Sequence, residues 1–151
     1  MSLNEDSSVV LAVVGAGPAG LSAAACAAKM GVPHVLLEAA EHPADTLFKY
    51  QKGKHVMSTP VVLPLRSALP FDSGAREDAL AAWGDGILGL GVNIRHRSEV
   101  VSITGEQGNF TLLCYNGDRY RAEHVVLAIG MQGNLRKLEV PGADRFPALQ
   151  Y

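Results

Sequence analysis

The sequence from Val9 to Glu38 reads VVLAVVGAGPAGLSAAACAAKMGVPHVLLE and carries the main indication of the fold. Its opening run, Val9–Val14, is short, apolar and rich in β-branched residues, which is typical of a buried parallel strand. A glycine-rich segment follows at once, and the alanine-rich run after it favours helix. A second apolar run, Val35–Leu37, ends at Glu38. The stretch therefore predicts a strand, a tight turn, a helix and a second strand.

The turn has the spacing G-x-G-x-x-G, and each glycine in it has a physical task. Gly15 permits the tight turn, Gly17 lets the backbone approach a pyrophosphate, and Gly20 lets helix and strand pack closely. Pro18 suits the first helical turn, because its missing N–H would have no partner within the helix. The free N–H groups and the positive end of the helix dipole then face the phosphates. These features predict a phosphate-binding turn.

Glu38 ends the second strand, 23 positions after Gly15. A separation of about 20 residues is expected for the acid that binds a ribose in dinucleotide-binding folds. Its carboxylate can accept hydrogen bonds from a ribose 2′-hydroxyl and would repel a 2′-phosphate, so NADP is disfavoured at this site. A glycine-rich turn with an incidental surface glutamate is the alternative. Strand, helix, second strand and acid together favour a dinucleotide site.

Composition limits the class of protein. With 151 residues, of which 48% are hydrophobic and 19% charged, the chain suits one globular domain. A net charge of −2 without a basic block argues against general nucleic-acid binding. No apolar run approaches the roughly 18 residues of a membrane helix, and no signal-type segment opens the chain. Cys26 and Cys114 form no motif and are predicted to be small core residues, which fits a cytoplasmic location.

The segment from Glu41 to Ala75 has no sustained helical or strand period. A structureless span of this length inside a domain is either functional or evidence against the element assignment. It carries the cations Lys49, Lys52, Lys54 and His55. They form either a loop that faces a flavin or an anionic substrate, or a solvated surface cluster.

The second half of the chain predicts a helix and then several strands. The helix covers Ala75–Leu90, with Ser73 as its cap, Trp83 on its apolar face and Gly91 at its end. A third parallel strand is expected at Val92–Arg95. Three antiparallel strands are expected at Val100–Thr104, Phe110–Tyr115 and Arg119–Ala122, and another parallel strand at Val125–Gly130. Asn116-Gly117 signals a two-residue hairpin, in which Leu113 would face Tyr120.

The predicted fold is an α/β, Rossmann-like parallel sheet with a three-stranded antiparallel β-meander over residues 100–122. The chain resembles the FAD-binding half of two-dinucleotide-domain flavoproteins, the thioredoxin-reductase-like pyridine-nucleotide oxidoreductases. The resemblance rests on GAGPAG with Glu38, on the meander, and on AIG at residues 128–130, where the family usually has ATG. Flavin monooxygenases share much of the pattern. Val140-Pro141-Gly142 resembles the family's exit toward its second domain, so the resemblance spans residues 9–142.

This resemblance implies FAD as the cofactor, with NAD as the alternative because Glu38 suits either adenosine ribose. It implies that the pyrophosphate lies at Gly17, Pro18 and Ala19, that the backbone of Val100 meets the adenine, and that Gly130 lets its loop pass close to the ADP portion. The cofactor-binding residues predicted in this way are Gly15, Gly17, Pro18, Ala19, Gly20, Glu38, Val100, Ala128 and Gly130. No catalytic residue and no metal ligand is predicted, because in this class the flavin carries the chemistry.

The chain departs from the family's pattern in several places. Ile129 replaces the usual Thr, Leu47–Met57 stands where thioredoxin reductases have Gly-Gly-Gln-Leu, and no C-x-x-C is present. The sequence ends at Tyr151 with no second G-x-G-x-x-G. The expected organisation is a disordered segment at 1–8, an incomplete FAD domain at 9–139 and a linker at 140–151 toward an NAD(P)H domain.

The resemblance implies that the complete protein passes hydride from NAD(P)H to FAD and then to an unidentified small-molecule or protein acceptor. A homodimer is possible for that complete protein. The alternative is a stand-alone, non-catalytic nucleotide-binding module. By itself, the chain is expected to show no turnover, because it cannot hold hydride donor and acceptor together.

Overall fold

The computed structural model describes residues 7–57, 67–70 and 72–131. The predicted linker, 140–151, lies outside the described residues. The predicted disordered segment, 1–8, lies outside them only as far as residue 6, because the first strand begins at Ser7. Ser7 and Ser8 pair with a neighbouring strand, so they extend the sheet.

Strands and helices alternate in the first half of the described chain, and strands dominate the second half. The strands are β1 Ser7–Val14, β2 His34–Leu37, β3 His55–Val56, β4 Gly74–Ala75, β5 Ile94–Arg95, β6 Val100–Glu106, β7 Asn109–Cys114 and β8 Arg119–Leu127. The helices are α1 Pro18–Lys29, α2 Asp45–Phe48 and α3 Arg76–Leu90.

The main sheet has six strands in the order β5-β2-β1-β8-β7-β6. Strands β5, β2, β1 and β8 are parallel to one another, as crossovers through α1 and α3 require. Strand β7 is antiparallel to both of its neighbours, β6 and β8. The predicted Rossmann-like sheet with a three-stranded antiparallel meander is therefore confirmed. The third parallel strand is also present, although it is shorter than predicted.

Strand β8 corrects the prediction of two separate strands at residues 119–122 and 125–130. It is one strand that runs from Arg119 to Leu127. Residues 119–122 pair with β7, and β1 pairs along the opposite edge as far as Leu127. Glu123 and His124, which lie between the two predicted strands, are exposed within the observed strand. Because β8 belongs to both parts, the meander and the parallel sheet are continuous.

The hairpin between β7 and β8 corrects the predicted register by one residue. Gly117 donates its N–H to the Cys114 carbonyl, and Cys114 donates to the Asp118 carbonyl. The loop therefore has three residues, of which Gly117 has a φ of +90°. As a result Tyr120 lies opposite Leu112, and not opposite Leu113 as predicted.

Two buried clusters lie on opposite faces of the parallel strands, because successive side chains of a strand alternate between faces. Val13 and Leu36 face α1 and α3, where they join Leu21, Trp83 and other apolar side chains. The other face carries a second cluster, formed by Ala12, Val14, Val35, Leu37, Leu112, Cys114, Tyr120 and Ala122. The meander therefore covers the face of β1 and β2 that the helices leave open.

The helix ends are partly as predicted. Gly91 ends α3 in the left-handed conformation, with φ +66°. The predicted cap at Ser73 is wrong, because the helix begins one residue after Ala75, which occupies the capping position without a side-chain hydrogen bond. Within the described ranges, no helix is long and apolar enough to span a bilayer.

Candidate functional site

The glycine turn between β1 and α1 is closed by backbone contacts that exclude any side chain. Gly15 has φ +97°, and a Cβ on it would lie 2.6 Å from the Ala128 carbonyl oxygen. A Cβ on Gly20 would lie 1.8 Å from the Gly15 carbonyl oxygen and 3.3 Å from Cβ of Ala128. Both positions therefore accept only glycine without a shift of the backbone. The predicted site residues Gly15, Gly20 and Ala128 thus lie together in one contact.

Gly17 differs from these two glycines. It caps α1 in an ordinary extended conformation, with φ −71° and ψ −179°, and a Cβ on it would meet no atom within 4 Å. Pro18 and Ala19 follow as the first helical residues, and both are exposed. The backbone at the N-terminus of α1 is thus open on the side of Gly17. This is the space that a phosphate group needs for close approach to the backbone N–H groups.

Glu38 lies directly after β2 and holds the glycine turn. Its Oε2 accepts the Ala16 N–H at 2.6 Å, and its Oε1 accepts the Ala40 N–H at 2.9 Å. Gly15 also donates its N–H to the Leu37 carbonyl oxygen at 2.8 Å. Each carboxylate oxygen has more than one lone pair, so the half-buried Glu38 can still accept a ribose hydroxyl. The structure therefore brings the predicted acid to the glycine turn.

Ala128 is also bonded to β1, and of the two remaining predicted residues Gly130 lies close to it in sequence and Val100 lies in β6. Ala128 follows β8 and donates its N–H to the Val14 carbonyl oxygen at 2.8 Å. Gly130 lies two residues further on, exposed, with φ +67°. Val100 begins β6 and packs against the buried cluster of the meander. It is two residues beyond Ser98, whose N–H donates to the Glu38 carbonyl oxygen at 2.8 Å, so its strand starts beside the acid.

The lysine-rich segment is packed against the start of α3. The Arg76 side chain donates to the carbonyl oxygens of Leu47 and Phe48, and the Glu77 carboxylate accepts the Gly53 N–H. The Lys54 ammonium lies 4.0 Å from the centre of the Tyr50 ring. Residues 50–54 line a concavity of about 430 Å³. These contacts define the shape of the loop and are compatible with either of the two interpretations of its lysines.

Three other residues near the glycine turn were not predicted from the sequence. Ala44 donates its N–H to the Ala16 carbonyl oxygen at 2.8 Å, and Arg97 donates to the Ala40 carbonyl oxygen at 3.1 Å. Both have positive φ, +53° for Ala44 and +54° for Arg97, which non-glycine residues adopt uncommonly. Ala40 itself donates to Glu38. These contacts are made by the backbone, so no side-chain pattern could have indicated them.

Shifted pKa values occur away from this turn. A hydrogen bond from Arg76 lowers the pKa of Glu77, beside the lysine-rich segment. Burial raises the pKa of the Cys114 thiol to about 11 and also raises the pKa of Tyr120. Both of these groups belong to the meander core, as predicted for Cys114. The geometry of the glycine turn is that of a binding site built from backbone donors and one carboxylate.

Comparison with known proteins supports this interpretation. A ferredoxin–NADP reductase from Ignicoccus hospitalis is 30% identical over 132 residues, which make up 87% of this chain and 40% of that protein. The chain therefore spans about two fifths of the length of this relative.

Solved structures show the same fold. A bacillithiol disulfide reductase from Staphylococcus aureus matches with a TM-score of 0.74 at 22% identity, over 91% of this chain and 43% of that one. A thioredoxin reductase from Lactococcus lactis matches with a TM-score of 0.70 at 21% identity, over 91% of this chain and 40% of that one.

A family model described as pyridine nucleotide-disulphide oxidoreductase matches residues 9–148, which is most of the sequence. This match confirms the predicted resemblance and the predicted FAD/NAD(P)-binding type of fold. It also confirms the cofactor prediction, because the flavin oxidoreductases of this family use FAD and NAD(P)H. The chain belongs to the pyridine nucleotide-disulphide oxidoreductase family.

Proposed function

We propose that this chain binds the ADP portion of FAD at its glycine turn, as the FAD-binding part of an oxidoreductase that takes hydride from NAD(P)H. The observation that carries the proposal is the open backbone at Gly17, beside the Glu38 carboxylate. A methyl group would fit there without contact, so this glycine is not required by packing within the protein. A ligand that must approach the backbone explains it.

The helix supplies the attraction for the pyrophosphate. Helix α1 begins at Pro18, and its N-terminus carries roughly half a positive elementary charge together with unsatisfied N–H groups. The N–H groups of Gly17 and Ala19 can donate to phosphate oxygens, whereas Pro18 has none to donate. Since neighbouring acids are absent from the first turn of α1, the dipole is not offset by a side chain there.

Glu38 orients the adenosine. Its carboxylate is held in place by the N–H groups of Ala16 and Ala40, and its free lone pairs accept a ribose hydroxyl. A 2′-phosphate at this position would place two negative groups together. We therefore infer that the site takes a 2′-hydroxyl dinucleotide, and FAD in preference to NAD because of the family's meander. When bound, FAD supplies the hydride-accepting ring, and the protein's part is to bind and orient it.

The relatives differ in the acceptor that their names state, namely ferredoxin, bacillithiol disulfide and thioredoxin. The present sequence has no C-x-x-C, so we infer that acceptor reduction does not use such a dithiol within these 151 residues. We also propose that the complete enzyme is cytoplasmic, that it can form a homodimer, and that it binds neither nucleic acid nor membrane.

Calorimetric titration with adenosine nucleotides tests the proposed site. We expect AMP to bind at least about tenfold more tightly than adenosine 2′,5′-bisphosphate, because the two differ only in the 2′-phosphate, which would lie beside the Glu38 carboxylate. A Glu38→Gln variant should narrow that difference, since it removes the negative charge and retains one acceptor oxygen. Equal affinity of the unchanged chain for both nucleotides would contradict the role of Glu38.

If the native gene continues past Tyr151, the identity of the dinucleotide is tested on that longer protein. We expect this longer protein to be yellow and to release flavin on denaturation. A colourless longer protein that binds NAD would refute the FAD assignment. A colourless 151-residue chain would not, because the relatives are more than twice as long.

A further inference from the structure

Two residues in strained backbone conformations lie on either side of the segment that follows β2. Ala44 and Arg97 are the non-glycine residues with positive φ in the part of the chain that the structure describes. A left-handed residue with a side chain is energetically unfavourable and persists only where surrounding contacts enforce it. Both residues use the conformation to direct their N–H groups toward the backbone around the glycine turn.

Ala44 acts on the peptide that precedes Gly17. Its N–H donates to the Ala16 carbonyl oxygen at 2.8 Å. In a trans peptide the carbonyl and the following N–H point in opposite directions. The hydrogen bond therefore orients the N–H of Gly17 away from Ala44. This N–H is one of the donors that the proposed function assigns to the pyrophosphate.

Glu38 acts on the other peptide of Ala16. Its carboxylate accepts the Ala16 N–H at 2.6 Å, which orients the plane of the Gly15–Ala16 peptide. Ala16 is thus held on both sides, through its N–H by Glu38 and through its carbonyl by Ala44. Because Ala16 itself is fully buried, water cannot replace either bond. These two hydrogen bonds restrict the orientation of the Gly17 N–H.

The surroundings of Ala44 maintain its conformation. Ala44 is 3% exposed and packs in the cluster between the sheet and the helices. Its carbonyl oxygen accepts the Phe48 N–H at 2.9 Å, which anchors it to helix α2. Arg97 stabilises the same segment from outside, through its N–H to Ala40 and its ion pair with Glu41. The segment from Glu38 to Ala44 is therefore fixed at both ends.

We propose that Ala44 is a positioning residue for the phosphate-binding turn, whose main-chain N–H orients the Ala16–Gly17 peptide so that the Gly17 N–H faces the pyrophosphate. This inference rests on the proposed dinucleotide site. It assigns the residue a role through its backbone, and its small side chain serves only to fit the buried space.

Replacement of one amide by an ester tests the role directly. Lactic acid in place of Ala44 deletes the N–H and keeps the methyl group. Phenyllactic acid in place of Phe48 is the matched control, because it deletes the bond from Phe48 to Ala44 within the same segment and leaves Ala16 untouched. We expect the first ester to weaken ADP binding about tenfold, the effect of one misdirected hydrogen bond to a charged group. The control should bind ADP within about twofold of the unchanged chain.

Further measurements separate positioning from loss of structure. Adenosine, which has no phosphates, should bind both esters equally, and both should lose similar stability toward urea. In the ligand-free protein, ¹⁵N relaxation of the Gly17 amide should show increased mobility with the Ala44 ester and no change with the control. An Ala44→Gly variant, which keeps the N–H and relieves the positive φ, should bind ADP normally.

The outcomes distinguish this inference from the proposed function. Equal ADP affinity of the two esters, or a Gly17 amide that is equally rigid in both, would overturn the role of Ala44. If the unchanged chain binds no ADP, the proposed function fails. The relaxation of the Gly17 amide then still decides whether Ala44 orients this peptide.

Discussion

Two glycines of the same turn should respond in opposite ways to the same substitution. Gly20→Ala should damage the folded protein, whereas Gly17→Ala should damage only nucleotide binding. The reason lies in the space around each Cβ position, which is filled at Gly20 and open at Gly17. Gly84→Ala serves as the matched control, because Gly84 lies inside helix α3 with no atom within 4 Å of its Cβ position.

The magnitudes follow from these distances. A Cβ on Gly20 would lie 1.8 Å from the Gly15 carbonyl oxygen, where an ordinary contact needs at least 3.4 Å. Helix α1 would have to move, and overpacking of this kind costs about 3 kcal/mol or more. The higher helix propensity of alanine returns up to about 1 kcal/mol. We therefore expect Gly20→Ala to lower the free energy of unfolding by about 2 kcal/mol or more.

Gly17→Ala should leave the free energy of unfolding almost unchanged. The extended conformation of Gly17 is open to alanine. A loss of up to about 1 kcal/mol in capping opposes a gain of about 0.4–1 kcal/mol from a less flexible unfolded chain. Its methyl group would nevertheless occupy the surface that meets the phosphates. We expect ADP affinity to fall at least about tenfold, or about 1.4 kcal/mol.

Urea unfolding without nucleotide and calorimetric titration with ADP measure the two quantities separately. Gly84→Ala should gain about 1 kcal/mol of stability and bind ADP normally. A loss of more than about 1 kcal/mol of stability in Gly17→Ala, or an unchanged ADP affinity of that variant, would contradict the open phosphate-facing surface at Gly17. Normal stability of Gly20→Ala would show that α1 and the glycine turn are less closely packed than described.

Other variants test separate parts of the molecule. Glu38→Ala should lower stability by about 1–3 kcal/mol, because two backbone N–H groups lose their acceptor, and should also weaken ADP binding in a titration. His34→Ala should lower stability toward urea by a similar amount and leave ADP affinity unchanged. His34 makes hydrogen bonds with the backbone of Val32 and Asn93 at the start of β2, which is the end opposite to Glu38. Burial raises the pKa of the Cys114 thiol to about 11, so the unfolded chain loses this proton at a lower pH than the folded protein does. The free energy of unfolding should therefore fall between about pH 8.5 and pH 11, and it should fall less steeply in Cys114→Ala. If the lysine-rich loop faces the flavin, Lys54→Ala should alter the flavin spectrum of the longer protein, and an unchanged spectrum would favour a solvated cluster.

The sequence predicts those parts of the site that depend on residue type. Gly15 and Gly20 have no alternative at their positions, and Glu38 follows a strand whose apolar run is plain. The strand, turn and helix around them can therefore be predicted from the sequence. The hydrogen bonds that Ala44 makes to the turn and Arg97 makes to Ala40 cannot be predicted, because both residues contribute them through the backbone. Neither residue type favours a positive φ, so local propensity points away from the observed conformation.

The sequence also predicts some features of the meander and misses others. Alternating apolar residues and Asn116-Gly117 predict the hairpin, but its register depends on which residue takes the left-handed conformation. Gly117 takes it as the third residue of the loop, and this shifts the pairing by one position. The continuity of β8 through exposed Glu123 and His124 depends on pairing with β1, which comes from distant sequence. Tertiary contacts thus override the local pattern.

The continuity of β8 also connects the meander to the dinucleotide site. Strand β8 pairs with β7 near its start and with β1 along its length, and Ala128 follows it directly. The Ala128 carbonyl lies against Gly15, at a distance that leaves no space for a Cβ. A slip of one residue between β8 and β1 would move β8 by about 3.3 Å, and this shift would remove the contact or drive Ala128 into the turn. The pairing of β8 with β1, which stays in register from Ser7 to Val14, therefore determines how closely Ala128 packs on the glycine turn.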